Sequence, residues 1–255
     1  MVRRVLATAV AVAVAGGSLA GCGGRSRPAG PESGRPDAAK ATPYAGPADV
    51  PERLGNDGTT ITVGDPAAPV TVHLYEDPRC PVCKEFETTG AAPELRAATV
   101  RREAKTQYTL ASFLDGRLGG QGSRKAVNAL RAALDKGRFA EYHDVLYANQ
   151  PEESVDGFTD SSLLQLAGRV PGLRGPDFDA AVKTMKYRSF VTEAEDAYER
   201  AGGAQDPKGR GTPTAEINDV PVPVQYNGLL FDKKIFGDML RTIRDNPESW
   251  QAGSS

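Results

Sequence analysis

The stretch Val70-Thr-Val-His-Leu-Tyr-Glu-Asp-Pro-Arg-Cys-Pro-Val-Cys83 decides how this chain is read. Val70 to Tyr75 is an apolar, β-branched run that predicts a central strand, and Asp77-Pro78 ends it. Cys80 then stands at a strand-to-helix corner. Pro81 suits a first helical position, which needs no backbone donor, and Lys84-Glu-Phe-Glu87 carries the helix on. The chain has three cysteines, and the third is the distant Cys22. Cys80 and Cys83 thus have no structural partner elsewhere: the pair either does redox chemistry or binds something. Zinc would need two further ligands, and only His73 and His143 are available, without paired spacing. No metal and no cofactor is expected.

The two ends say where such chemistry takes place. Arg3 and Arg4 precede an apolar run, Val5 to Ala15, too short to span a bilayer and laid out as an export signal. Leu19-Ala-Gly-Cys22 resembles the lipobox of bacterial lipoprotein precursors, which implies lipidation of Cys22 and a signal peptide over residues 1–21. Residues 22–58 are rich in Gly, Pro, Ala and Ser and lack apolar periodicity, so they are expected to be a flexible tether. The expected location is the extracytoplasmic face of the cell membrane, lipid-anchored; the alternative is a secreted protein. That compartment is oxidising, and a close cysteine pair persists there as a disulfide. The formal net charge is −2 with both signs interspersed, so no basic stripe argues for nucleic acid.

After the tether, alternating β-branched residues predict strands at Thr59 to Val63, Val70 to Tyr75 and Thr106 to Phe113. Gly90 and Pro93 interrupt the helix that follows Cys80, and it resumes over Glu94 to Thr99. Helical spacing then predicts four successive helices: Ser123 to Gly137, Phe139 to Tyr147, Ser161 to Val170 and a long one over Asp177 to Ala201. Phe139 and Tyr142 are expected in the core. Gly211 to Asp219 predicts a strand running into a turn, Val220 to Val224 a Pro-interrupted edge strand, and Lys233 to Arg244 a closing helix. The fold class is α/β. The right-handed crossover rule makes the Val70 and Thr106 strands parallel neighbours.

Three stretches carry a family resemblance: Gly64-Asp-Pro-Ala-Ala-Pro-Val-Thr-Val72 leading to Cys80-Pro-Val-Cys83, the segment Ala129 to Gln150, and Gly211-Thr-Pro-Thr214. Together they resemble the DsbA-like thiol-disulfide oxidoreductases of the thioredoxin superfamily. The resemblance implies a thioredoxin fold over residues 59–120 and 204–250 with an inserted helical domain over 121–203. It implies Cys80 as the exposed attacking sulfur, Cys83 as the buried resolving thiol, and a cis Pro213 that leaves the Thr212 backbone free to pair with a client. Pro81, Val82, Thr212 and Pro213 then form the substrate-binding rim. A thiolate at Cys80 is favoured at a helix N-terminus, where unpaired N–H groups and the dipole attract negative charge, with Arg79 and Lys84 expected to add positive potential.

Two positions depart from the family pattern. Many relatives carry an acid six residues before the first cysteine to move protons for the buried thiol; Leu74 stands there, with Glu76 and Asp77 nearer. Val82 replaces the histidine of the strongest oxidants and cannot donate to a thiolate, so a less oxidising pair is expected. The resemblance implies oxidation of cysteine pairs in exported proteins, with a membrane quinone-linked thiol oxidase as redox partner. The alternatives are a reductase or isomerase, as in cytochrome assembly, and a client-binding lipoprotein with a static disulfide.

Overall fold

A computed structural model of the chain describes residues 42–202, 206 and 209–252. Cys22, the export signal and the tether as far as residue 41 lie outside the described residues. Six strands form one sheet in the order β1-β2-β4-β3-β5-β6. They are β1 (Glu52–Leu54), β2 (Ile61–Gly64), β3 (Val70–Glu76), β4 (Ala104–Leu110), β5 (Thr214–Ile217) and β6 (Val220–Pro221). β3 and β4 are parallel, with Leu74 opposite Tyr108, and every other pairing is antiparallel. The crossover between β3 and β4 holds α1 (Pro81–Thr88) and α2 (Ala92–Val100), divided near Gly90 and Pro93 as expected.

Two expectations are corrected here. Residues 42–58 are not all tether. Glu52–Leu54 is an edge strand on β2, and Tyr44 N–H donates to Val100 O at 3.0 Å. Three residues with two charges carry no readable alternation, so this strand is set by its partners. Its Glu52 carboxylate accepts from the N–H groups of Phe139 and Ala140 at 2.8 and 2.7 Å. It thereby caps a helix of the insert from another part of the chain.

The second correction concerns the helices between β4 and β5, which are α3 (Leu114–Leu118), α4 (Gly122–Leu134), α5 (Phe139–Ala148), α6 (Asp160–Ala167), α7 (Pro176–Lys183) and α8 (Arg188–Gly202). The long final helix is broken at residues 184–187, where Met185 has φ +50°. Buried Asn128 on α4 holds the break open. Its Nδ2 donates to Ala181 O at 3.1 Å and its Oδ1 accepts from Tyr187 N–H at 2.9 Å. The amide side chain satisfies backbone groups that a continuous helix would have paired internally.

After β6 come a 3-10 segment (Val224–Phe231), α9 (Lys233–Asp245) and α10 (Pro247–Ala252). Sheet and insert share one apolar core, in which Leu74, Phe86 and Ile61 join Leu130, Phe139 and Phe178. Phe139 and Tyr142 are fully buried, as expected. Among the described residues no helix is long and apolar enough to cross a membrane.

Replacing Asn128 with alanine leaves the half-buried Tyr187 N–H without its partner, at about 1–3 kcal/mol, while Ala181 O keeps the Lys186 N–H at 3.1 Å. Asn128→Ala is expected to lower the denaturant midpoint by the equivalent of about 1–3 kcal/mol. A change below about 0.5 kcal/mol would show that the break forms without it.

Candidate active site

β3 ends at Glu76, and Asp77 turns the chain. The Asp77 carboxylate accepts from Arg79 N–H at 2.9 Å, from Leu114 N–H at 3.0 Å and from the Ser123 hydroxyl at 2.6 Å, while Cys80 N–H donates to Asp77 O at 2.9 Å. This Asx-type turn fixes the corner and ties it to α3 and α4. Gln150 braces it from the far side, its Nε2 donating to Pro78 O and Cys80 O at 2.8 and 2.9 Å. Burial pushes the Asp77 carboxyl up to about 7 despite these donors.

Cys80 is the N-cap of α1 and Pro81 its first residue. Both cysteines are free thiols. Cys83 has no exposed surface, and Cys80 keeps only 6 % of its own, which corrects the expectation of an exposed sulfur. The Thr212 carbonyl accepts from Cys80 Sγ at 3.3 Å, and Leu114, Tyr147 and Phe113 pack about the pair. Thr212-Pro213 is a cis peptide. Its loop is pinned to α8 by Gly211 N–H donating to Tyr198 OH at 3.0 Å.

The Cys80 thiol is lowered to about 6. The chief cause is the Cys83 S–H, which donates to the Cys80 sulfur; the Thr212 side chain and the backbone N–H groups of Cys83 and Val82 add to it, against burial. The Thr212 hydroxyl is buried with no other hydrogen-bond partner, so it is free to donate to a thiolate. Cys83 moves well the other way, through burial first and then its bond to Cys80. One sulfur is thus set up as nucleophile at neutral pH and the other as a thiol.

The two basic neighbours are spent elsewhere. Arg79 is buried and donates to Asp115 at 3.0 Å, Gly119 O at 2.8 Å and Glu153 O at 3.1 Å. Lys84 Nζ donates to Gln150 O at 3.3 Å. Both therefore stabilise the corner instead of standing free beside the sulfur. Pro81 and Val82 face outward, Val82 with 44 % of its surface exposed.

Near the pair Glu76, already a candidate acid from the sequence, joins residues that sequence reasoning missed. Side chains alternate along a strand, so Glu76 is on the same face of β3 as Leu74, one pleat further on. Leu74 is packed in the core, and Glu76 is fully buried. Glu76 Oε2 is 3.1 Å from His143 Nε2, and His143 Nδ1 is 3.9 Å from Glu87 Oε2. Arg96 Nη1 is 2.6 Å from Glu87 Oε2 and 3.1 Å from Asp144 Oδ1. Burial pushes Glu76 and Glu87 each up to about 8, and it lowers His143. Glu87 was legible in one respect: it stands four residues after Cys83, on the same face of α1.

Glu76, Glu87 and His143 offer ligand atoms within 4.8 Å of one another. The Arg96 guanidinium already holds the Glu87 carboxylate, and its fixed charge opposes a cation there. Burial favours the neutral form of all three groups, the two carboxyls and the imidazole.

A thioredoxin family model, described as Thioredoxin, matches residues 56–229. The chain belongs to the thioredoxin family. Its fold is similar to that of BdbD from Bacillus subtilis, with TM-score 0.60 and 20 % identity over 81 % of this chain and 100 % of that one. DsbA from Chlamydia trachomatis has TM-score 0.58 and 19 % identity over 75 % and 92 % of the two chains. MdbA from Corynebacterium matruchotii, described as a thiol-disulfide oxidoreductase, has TM-score 0.58 and 14 % identity over 76 % and 93 %. Among curated proteins, the serine/threonine-protein kinase PknE of Mycobacterium tuberculosis is 31 % identical over 125 residues. That match takes in 46 % of this chain and 22 % of the kinase, so the chain spans about a fifth of the length of this relative. The fold is thus the thioredoxin fold with a helical insertion of the DsbA type.

Alkylation of Cys80 in the reduced protein is expected to titrate with a midpoint near pH 6. Thr212→Val removes a charge-assisted hydrogen bond, worth about 1.5 kcal/mol, and is expected to slow alkylation at pH 6 roughly tenfold with little change at pH 9. A midpoint near 9 in the unaltered protein would show that no thiolate is held at the helix start.

Proposed function

We infer that the chain is a protein thiol-disulfide oxidoreductase that oxidises cysteine pairs in exported proteins. The observation that carries this reading is the opposed setting of the two sulfurs, with Cys80 lowered to about 6 and Cys83 raised. A thiolate stabilised at Cys80 stabilises the reduced enzyme, which makes its disulfide a better oxidant. Val82 supplies no donor; Cys83 and the Thr212 hydroxyl take that part.

In the proposed reaction a client thiolate attacks Cys80 Sγ of the Cys80–Cys83 disulfide. The client–Cys80 bond forms, the Cys80–Cys83 bond breaks, and the Cys83 thiolate takes a proton from neutral Glu76. A second client thiolate then attacks the client sulfur of the mixed disulfide. Cys80 leaves as a thiolate, stabilised by Cys83 S–H and Thr212. The client has lost two electrons and the enzyme holds them. A membrane quinone-linked thiol oxidase is the proposed acceptor. The client segment lies across Pro81 and Val82 and along the Thr212 backbone beside Pro213.

The proposed location is the extracytoplasmic face of the membrane, with lipid on Cys22. The full chain expressed with Cys22→Ala is expected to leave the membrane fraction and to lose labelling by a fatty-acid probe. Equal membrane retention of both forms would exclude this anchor.

Equilibration with glutathione tests the direction of use. A potential above about −200 mV with rapid oxidation of a reduced client supports the oxidase; one near thioredoxin's, about −270 mV, with insulin reduction supports a reductase. Cys83→Ala is expected to accumulate mixed disulfides with exported proteins, and Cys80→Ala few. No trapping by either, with no turnover, would leave a static disulfide in a binding protein; equal trapping by both would show that Cys80 is not the sole attacking sulfur.

A further inference from the structure

Cys83 is sealed from solvent, yet it must gain and lose a proton in every redox cycle. It packs in one buried cluster with Cys80, Leu114 and Tyr147. Its proton therefore has to come from inside the protein. Resting on the reading above, we propose that Glu76, His143 and Glu87 form a shared proton store that serves Cys83 and refills at the Arg96–Asp144 surface, away from the client-binding rim.

The geometry carries the chain of contacts outward. Glu76 at the end of β3 is 3.1 Å from His143 on α5, and Glu87 on α1 stands 3.9 Å beyond the other ring nitrogen. Oε1 of Glu76 and Oε1 of Glu87 are buried without a hydrogen-bond partner, as is the Tyr147 hydroxyl. Buried polar atoms left unpaired cost several kcal/mol together, and a proton shared among these groups satisfies them. Arg96 then spans from Glu87 to Asp144, whose side chain is 41 % exposed. Beyond Arg96 is a cavity of about 50 Å³, lined in part by Arg96, Tyr108, Glu141 and Asp144, with room for water. Arg96 keeps its own proton; it holds Glu87 one guanidinium's breadth from that cavity.

The groups that face the store come from four elements. They are Cys80 and Cys83 at α1, Asp144 and Tyr147 on α5, Arg96 on α2 and Tyr108 on β4; Glu52 acts on His143 and Asp77 on Tyr147 from further away. The proton balance is closed. When Cys83 leaves as a thiolate, Glu76 gives up its carboxyl proton and becomes a carboxylate. That carboxylate is made neutral again through His143 or directly from Glu87, and Glu87 recovers a proton from cavity water. On reoxidation the same sites carry the Cys83 proton outward. A client lying over Cys80 does not obstruct either direction. In these roles Glu87 and His143 are positioning residues that act through Glu76.

The test is stopped-flow reduction of the oxidised protein by dithiothreitol from pH 5 to 9, which needs no client. Glu76→Gln is expected to slow reduction at pH 7 by about 100-fold, the scale of a lost general acid. Glu87→Gln and His143→Asn are expected to slow it roughly tenfold and to flatten its pH profile. The Cys80 alkylation midpoint should stay in place, a readout that general loosening of the fold would move. Rates and profiles of both variants matching the unaltered protein, with Glu76→Gln alone slow, would overturn the store. Stoichiometric metal in the purified protein would overturn it as well. Should these variants fail to fold, the redox difference infrared spectrum of the unaltered chain serves. A carboxylic-acid band that changes with redox state and shifts in D₂O supports the proposal, and its absence sinks it. Failure of client oxidation with these kinetics intact would reject the functional reading alone.

Discussion

The S–H of Cys83 pointing at the sulfur of Cys80 across the first turn of α1 is the contact on which the chemistry of this molecule depends. It works in opposite senses on its two ends. It stabilises negative charge on Cys80 and, together with burial, makes the loss of a proton from Cys83 costly. A difference of three in pKa corresponds to about 4 kcal/mol, so the lowering of Cys80 from 9.0 to about 6 is large against the stability of an ordinary domain. The helix start adds to this through the N–H groups of Val82 and Cys83, which have no partners within α1. The fixed cations beside the motif do not act in the same way. Arg79 and Lys84 are drawn off into hydrogen bonds that hold the corner, and the sulfur is served by short-range donors.

The same contact explains why the acids below matter. A thiol that resists ionisation needs a base close by, and a base there must be buried too. Burial first, and then the negative groups nearby, raise Glu76 and Glu87 to about 8, close to neutrality, where a carboxyl both gives and takes protons readily. A carboxyl with the ordinary value near 4.5 would be a permanent anion under Cys83 and would oppose a second negative charge. Sharing a site with another acid and a neutral imidazole keeps the local charge low.

Much of the fold was legible because its strongest signals are local. The Val70 to Tyr75 run, Pro81 at the helix start, the break near Gly90 and Pro93 and the α9 periodicity each depend on residues close in sequence. What escaped depends on distant ones. β1 has three residues, and only its pairing with β2 and the grip of Glu52 on α5 make it a strand. The break between α7 and α8 follows from Asn128, some fifty residues earlier, and the pattern of apolar residues runs on through it. In the site, both cysteines, Thr212 and Pro213 were visible as a motif. Glu76 was visible as an acid, but whether it would face the sulfur depended on strand register. Gln150, His143, Arg96 and Glu87 were not visible as a set, because three segments of the fold are needed to bring them together.

The helical insert is therefore more than a cover on a thioredoxin sheet. α5 delivers His143 to Glu76, Tyr147 to the flank of Cys83 and, just past its end, Gln150 to the carbonyl of Cys80. These contacts run from the proton side of the pair to the turn that presents it. α8 reaches the opposite side, where Tyr198 holds the loop carrying Thr212. Removing the insert would leave the cysteine corner without Gln150 and Ser123, and Glu76 without its imidazole. The position of the acid follows from the same packing. A carboxyl at residue 74 would point into the leucine-lined core between sheet and helices, whereas one pleat further along β3 it meets α5. Period-two alternation keeps the acid on the sulfur-bearing face, and the insert makes that place polar.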